Sequence, residues 1–156
     1  NKSFEVRNPF NILLRQRMLI GAIHDLEDEL GVNISNRIYI LTLPDWSSED
    51  DLDSNKIWGH YLYYNIVRVI EQRKFKLYYS DEPSIIKNWF DSEVINNIEL
   101  VLIPRESILD SLSATRIRKA IIENTDESNK YLRDTLPKSV YNMVPELMTI
   151  LSKIKQ

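Results

Sequence analysis

The sequence predicts an α/β fold, a parallel sheet flanked by helices, in a single domain over residues 1–156. Three observations predict it. Segments with apolar residues at helical spacing alternate with short apolar runs of strand length. Those runs are apolar nearly throughout, the pattern of parallel strands covered on both faces and joined by right-handed crossovers. Finally, 156 residues at 43% hydrophobic are enough to bury a substantial core.

Residues 9–30 are predicted as an amphipathic helix. Ile12, Leu13, Met18, Leu19, Ile23, Leu26 and Leu30 recur at helical spacing, and Gly31 stops it. Pro9 suits the first turn, where a missing N–H costs nothing. Arg37 to Leu43 reads as a strand ended by Pro44-Asp45. After a polar loop, Lys56 to about Arg73 reads as a helix with Ile57, Tyr61, Ile66, Val67 and Ile70 inward. Phe75 to Ser80 is the next strand, and Pro83 opens a short helix reaching about Asp91. Ile98 to Ile103 is a strand, Ser113 to about Glu123 a helix, and Pro137 to Lys155 a last amphipathic helix.

Composition excludes several functions. A net charge of −3 argues against broad nucleic-acid binding. With no cysteine there is no disulfide, thiolate metal site or cysteine nucleophile, which suits a reducing cytoplasm. Two histidines, His24 and His60, are too few for an imidazole zinc site, and no metal site is expected. No apolar run approaches membrane-spanning length, so no membrane role is expected. Glycine, at three residues, is too scarce for a Gly-rich phosphate loop. The charges are unevenly spread. Segment 46–53 carries Glu49, Asp50, Asp51 and Asp53 and reads as a solvated loop, whereas 105–119 gathers Arg105, Arg116, Arg118 and Lys119. A local basic cluster in an acidic chain suits a small anion better than a polymer.

The stretch Ser113-Ala114-Thr115-Arg116-Ile117-Arg118 is the richest in chemistry. It places two hydroxyls and two guanidinium groups at a helix start that follows an apolar strand and a loop. Unpartnered first-turn N–H groups and the positive end of the macrodipole favour anions there. Ser and Thr are also ordinary N-cap residues, so the same pattern reads as simple capping. In open parallel sheets, ligands bind beyond the carboxyl ends of the strands. Asp45, Ser80 and Arg105 all follow predicted strand ends.

Several segments resemble the nicotinamide-mononucleotide adenylyltransferases of the archaeal type. Asn8-Pro9-Phe10 with Arg15 and Met18 is similar to that family's Asn-Pro-Phe-x-x-x-x-Arg segment. Leu43-Pro44-Asp45 and then Ile57-Trp58 look like its strand end and Trp-bearing helix start. Tyr79-Ser80 with Pro83 resembles its Tyr-Ser-x-Asn-Pro turn, with Glu82 where the family usually has Asn. Ser113-x-Thr115-x-x-Arg118 is similar to the signature shared across the nucleotidyltransferase superfamily. Leu136-Pro137-Lys138-Ser139-Val140 looks like the opening of the family's last helix. The matches run in order along nearly the whole chain.

The resemblance implies a Rossmann-like nucleotidyltransferase fold. It also implies a first strand–helix unit, carrying His-x-Gly-His, upstream of Asn1, so the chain is expected to be incomplete at its N-terminus. The activity implied is transfer of AMP from ATP to nicotinamide (or nicotinate) mononucleotide, giving NAD and pyrophosphate with Mg2+ carried by ATP. Ser113, Thr115 and Arg118 would hold the ATP phosphates, with Arg118 and Arg15 as catalytic residues and Arg15 between the two substrates. Trp58 would stack on the pyridine ring, the alternative being a core tryptophan. Asp45 and Asn8 would also contact the mononucleotide. A cytoplasmic homo-oligomer is implied. Two other readings stay open: another adenylyl- or cytidylyltransferase, such as one acting on phosphopantetheine, and a non-catalytic domain that binds NAD or ATP.

Overall fold

Asn11 starts the first helix: its side-chain oxygen accepts from the Leu14 N–H at 2.9 Å and satisfies an open first-turn donor. Gly31 ends that helix in the left-handed region at φ 65°, its N–H on the Glu27 carbonyl at 2.9 Å. Glycine adopts this geometry without a Cβ penalty. The computed structural model describes residues 9–43, 52–80, 86, 88–104 and 113–154, with backbone alone at 52–54. In chain order its elements are α1 (Ile12–Leu30), a 3-10 turn (Ser35–Arg37), α2 (Leu52–Ile70), β1 (Phe75–Tyr79), α3 (Ser92–Ile95), β2 (Ile98–Leu102), α4 (Ala114–Glu123), α5 (Asp126–Thr135), α6 (Lys138–Tyr141) and α7 (Val144–Ile154). Among the described residues the chain is mixed α/β, mostly helical, with a small two-stranded parallel sheet. It divides into two compact units, Asn1–Pro44 with Ser111–Gln156, and Asp45–Asp110.

The first unit is helical. Leu14, Ala120, Ile121, Leu132, Leu147 and Leu151 form its buried core, with Phe10, Met18 and Ile117 packed against it. Two features hold α1 against α6. A Cβ at Gly21 would lie 2.6 Å from Ser139 Oγ, so glycine permits the close approach. Asp25 Oδ2 accepts from both the Ser139 N–H and the Ser139 hydroxyl, each at 2.7 Å.

The backbone bond from Ser139, then its hydroxyl, hold the Asp25 carboxyl below the ordinary aspartate value. A carboxylate with a depressed folded pKa stabilises above its unfolded pKa, and that contribution disappears as pH falls through the folded value. We therefore expect Asp25→Ala to flatten the acid limb of the stability profile. Thermal unfolding followed from about pH 6 to about pH 2 checks this. Parallel profiles for the variant and the natural protein would remove the Asp25–Ser139 link from the account.

Several expectations differ from the structure in this unit. On α1 the buried residue is Leu14, whereas Leu13, Leu19, Leu26 and Leu30 are exposed. The apolar residues occupy more than one side of the helix, and only the side bearing Leu14 and Met18 faces this core. The strand expected over 37–43 is absent. The Glu27 carboxylate instead accepts from the Ile34 and Ser35 N–H groups at 2.7 and 2.6 Å and braces the 3-10 turn. Residues 38–43 follow outside any strand, with Ile38, Tyr39 and Leu41 exposed. An extended segment becomes a strand only where a neighbour supplies the ladder.

The expected last helix is broken between α6 and α7. Pro145 has no N–H for the i−4 carbonyl and fits the first turn of a new helix. Helix α5 was not expected at all, because its apolar residues are few. Its start is nonetheless legible, since Thr125 Oγ1 accepts from the Ser128 N–H at 3.1 Å ahead of the first-turn acids Asp126 and Glu127.

In the second unit β1 and β2 pair in parallel, with Phe75 opposite Ile98 through Tyr79 opposite Leu102. Such pairing requires a crossover, and the intervening segment carries α3. The core joins Tyr63, Ile86, Phe90, Val94 and Ile98. Tyr63 stacks on Phe75 at 5.8 Å and donates its hydroxyl to the Arg73 carbonyl at 3.1 Å. Burial alternates along β1, with Lys76 and Tyr78 exposed, rather than covering both faces as expected. The exposed face carries the register pair Lys76–Glu99, whose charges meet at 2.9 Å.

Candidate functional site

Helix α4 begins where the hydroxyl- and arginine-rich motif lies. Ser113 has extended backbone (φ −135°, ψ 141°), and its Oγ accepts from the Arg116 N–H at 3.1 Å. The capping role is therefore realised. A capped serine still has its own hydroxyl proton to donate, because capping uses only a lone pair. Ala120 and Ile121 are buried, so the helix turns that side to the core. Asn124 closes it in the left-handed region at φ 48°.

Thr115 and Arg118 stand one turn apart, with Arg118 Nη2 3.4 Å from Thr115 Oγ1. Together with Pro9, Lys119, Ile122 and Leu151 they line a groove of about 440 Å³. Arg118 makes no ion pair among the described residues, so its positive charge is not neutralised by a carboxylate there. The Arg116 guanidinium lies 4.5 Å over the Tyr131 ring, and Lys119 reaches Glu123, which lines the same groove, at 3.5 Å. With Lys119 matched to Glu123, the Arg118 charge and the Thr115 hydroxyl, beside Ile122 and Leu151, suit an anion attached to a less polar body.

The groove unites segments far apart in sequence. Pro9, from Asn8-Pro9-Phe10, is buried beside Thr115 and Arg118, and Phe10 packs on the core of the same unit. This proximity was not anticipated. Nor were Ile122 and Leu151 as a groove wall, since helical spacing marks them only as apolar. Arg15 is exposed on α1 and is not among the groove's lining residues. Arg17 pairs with Glu146 at 3.0 Å.

Trp58 belongs to the second unit. It is half-buried on α2, with its ring 5.6 Å from that of Tyr61 and tilted by 38°. Trp89, by contrast, packs against the Tyr63–Val94 core. His60 Nε2 meets Asp91 Oδ2 at 2.6 Å, while Asp91 Oδ1 accepts from the Glu93 and Val94 N–H groups at 3.0 Å. That histidine is a structural partner of the α3 cap. His24 is exposed on α1. Asn8, Asp45, Glu82 and Arg105 lie outside the described residues.

Among the described residues, no three His, Asp or Glu side chains are grouped to hold a metal ion. Among them, too, no helix is long and apolar enough to cross a membrane. No protein-family model, curated protein sequence or solved structure matches the chain.

Proposed function

We propose that this chain is a nucleotidyltransferase that moves AMP from ATP to nicotinamide (or nicotinate) mononucleotide, forming NAD and releasing pyrophosphate. One observation carries the reading: Arg118, free of carboxylate partners among the described residues, shares a groove with Thr115 and with Pro9 of the Asn-Pro-Phe segment. Two motifs of the resemblance thus meet at one place. The parallel pairing of β1 and β2 is consistent with a Rossmann-like nucleotidyltransferase architecture.

In this reaction a phosphate oxygen of the acceptor attacks the α-phosphorus, and the bond to the pyrophosphate leaving group breaks. No protein nucleophile is required. The enzyme aligns the two substrates and neutralises charge that grows on the leaving group. Mg2+ arriving with ATP shares in that neutralisation. Arg118 forks onto β- and γ-phosphate oxygens, and Ser113 and Thr115 donate hydroxyl protons to them. Arg15 holds phosphate between the substrates, and Trp58 stacks on the pyridine ring. Asn8 and Asp45 complete the acceptor side. The working form is a cytoplasmic homo-oligomer.

The test is pyrophosphate release by the full-length protein with Mg-ATP, offering nicotinamide mononucleotide, nicotinate mononucleotide and phosphopantetheine in parallel. Release with a pyridine mononucleotide is expected. Release with phosphopantetheine alone, or nucleotide binding without turnover, would replace this function with one of the other two readings. Trp58→Ala should raise the KM for the mononucleotide by roughly tenfold, the worth of one good aromatic stack, with the KM for ATP little changed. An unaltered acceptor KM would make Trp58 a packing residue.

A further inference from the structure

Helix α5 presents a second cleft on its polar side, of about 650 Å³, bounded across from it by the α6–α7 turn. Its size falls within the range of small-molecule sites, and it shares no lining residue with the Thr115–Arg118 groove. Lys130 and Arg133, three residues apart on α5, stand on one wall. Neither makes an ion pair among the described residues. The lining carries one acid, Asp126, against these two cations. The cleft is therefore net positive in a chain whose formal charge is −3.

Arg133 is already oriented. Its guanidinium lies 5.8 Å from the centre of the Tyr141 ring. A guanidinium has five N–H donors, and contact with the ring leaves donors for a ligand. Facing it are Val144 and the thioether of Met148, a surface suited to a flat ring.

The geometry points to a binding site for a small aromatic phosphate monoester. The phosphate dianion sits on Lys130 and Arg133, whose paired charges and fork match it. The ring lies on the Val144–Met148 surface beside Tyr141. This site is independent of the adenylyl-transfer reading.

The probe is phenyl phosphate, titrated calorimetrically into the full-length protein, with inorganic phosphate and phenol as its separated halves. Saturable binding of phenyl phosphate is expected, with either half bound at least roughly tenfold more weakly. The double variant Lys130→Gln, Arg133→Gln should lose roughly tenfold or more in affinity, the cost of removing charge-assisted hydrogen bonds. Both side chains are exposed, so the fold tolerates the change. Arg133→Lys keeps the charge and should lose less than Arg133→Gln, and the loss caused by the double variant should persist in an Arg118→Ala background. Equal affinity for inorganic phosphate would overturn the proposal. So would no saturable binding, or binding lost in Arg118→Ala and untouched in the double variant.

Discussion

Alanine at position 118 should lower the rate of adenylyl transfer by about a thousandfold while leaving the fold in place. A cation that meets developing charge on transferred phosphates is worth on the order of 10³ in turnover or more. Arg118 is the cation best placed for this in the groove: Lys119 already faces Glu123, and Arg116 is over Tyr131. The fold should survive because Arg118 is only half-buried and the Ser113 cap uses the Arg116 N–H. The helix also keeps Ala120 and Ile121 in the core. Pyrophosphate release, with circular dichroism as the control for folding, measures the effect. Arg118→Lys should recover part of the loss, since it restores charge without the planar fork. Turnover near the natural rate in Arg118→Ala would remove this residue, and with it the phosphate assignment of the α4 start.

The second large effect concerns stability. Gly59→Ala should destabilise the Asp45–Asp110 unit by about 3 kcal/mol or more, at or beyond the upper end of ordinary overpacking. A Cβ at Gly59 would fall 1.7 Å from the Trp89 carbonyl oxygen and 2.6 Å from its carbon. Both are backbone atoms, so no side chain can swing aside. Helix α2 would have to withdraw from residues 89 and 90, and Phe90 is part of the buried core. Gly31→Ala is the useful comparison. Nothing lies within 4 Å of its added Cβ, but φ is 65°, which costs an alanine roughly 1–2 kcal/mol. Denaturant unfolding of the two variants separates crowding from backbone strain. Equal losses at the two positions would mean that the Gly59 contact is not the cause.

Much of the local structure was readable in advance. Helices over 12–30, 52–70 and 114–123 and strands at 75–79 and 98–102 lie close to their expected places. Their boundaries rest on short-range chemistry: Asn11 and Ser113 as caps, and Gly31 as a left-handed stop. At Ser113 the capping reading and the ligand reading occupy the same residue, and capping is the one realised in contacts. The arginine chemistry was legible as residue types, but its arrangement was not. That Arg116 lies over Tyr131, Arg17 on Glu146 and Arg118 beside Pro9 depends on chain segments distant in sequence. Arg15 is singled out by motif, and it is not among the residues lining the groove that holds Thr115 and Arg118.

Sequence alone determined where α1 and α4 begin and where α1 ends, because a cap or a left-handed glycine acts across three or four residues of the same chain. It also determined which residue types collect at the start of α4. Tertiary structure decided which side of α1 is buried, whether 38–43 joins a sheet, and which arginines meet a carboxylate among the described residues. Each of those outcomes needs a neighbour supplied by another part of the chain. Apolar periodicity names the residues able to be buried, but only packing chooses among them.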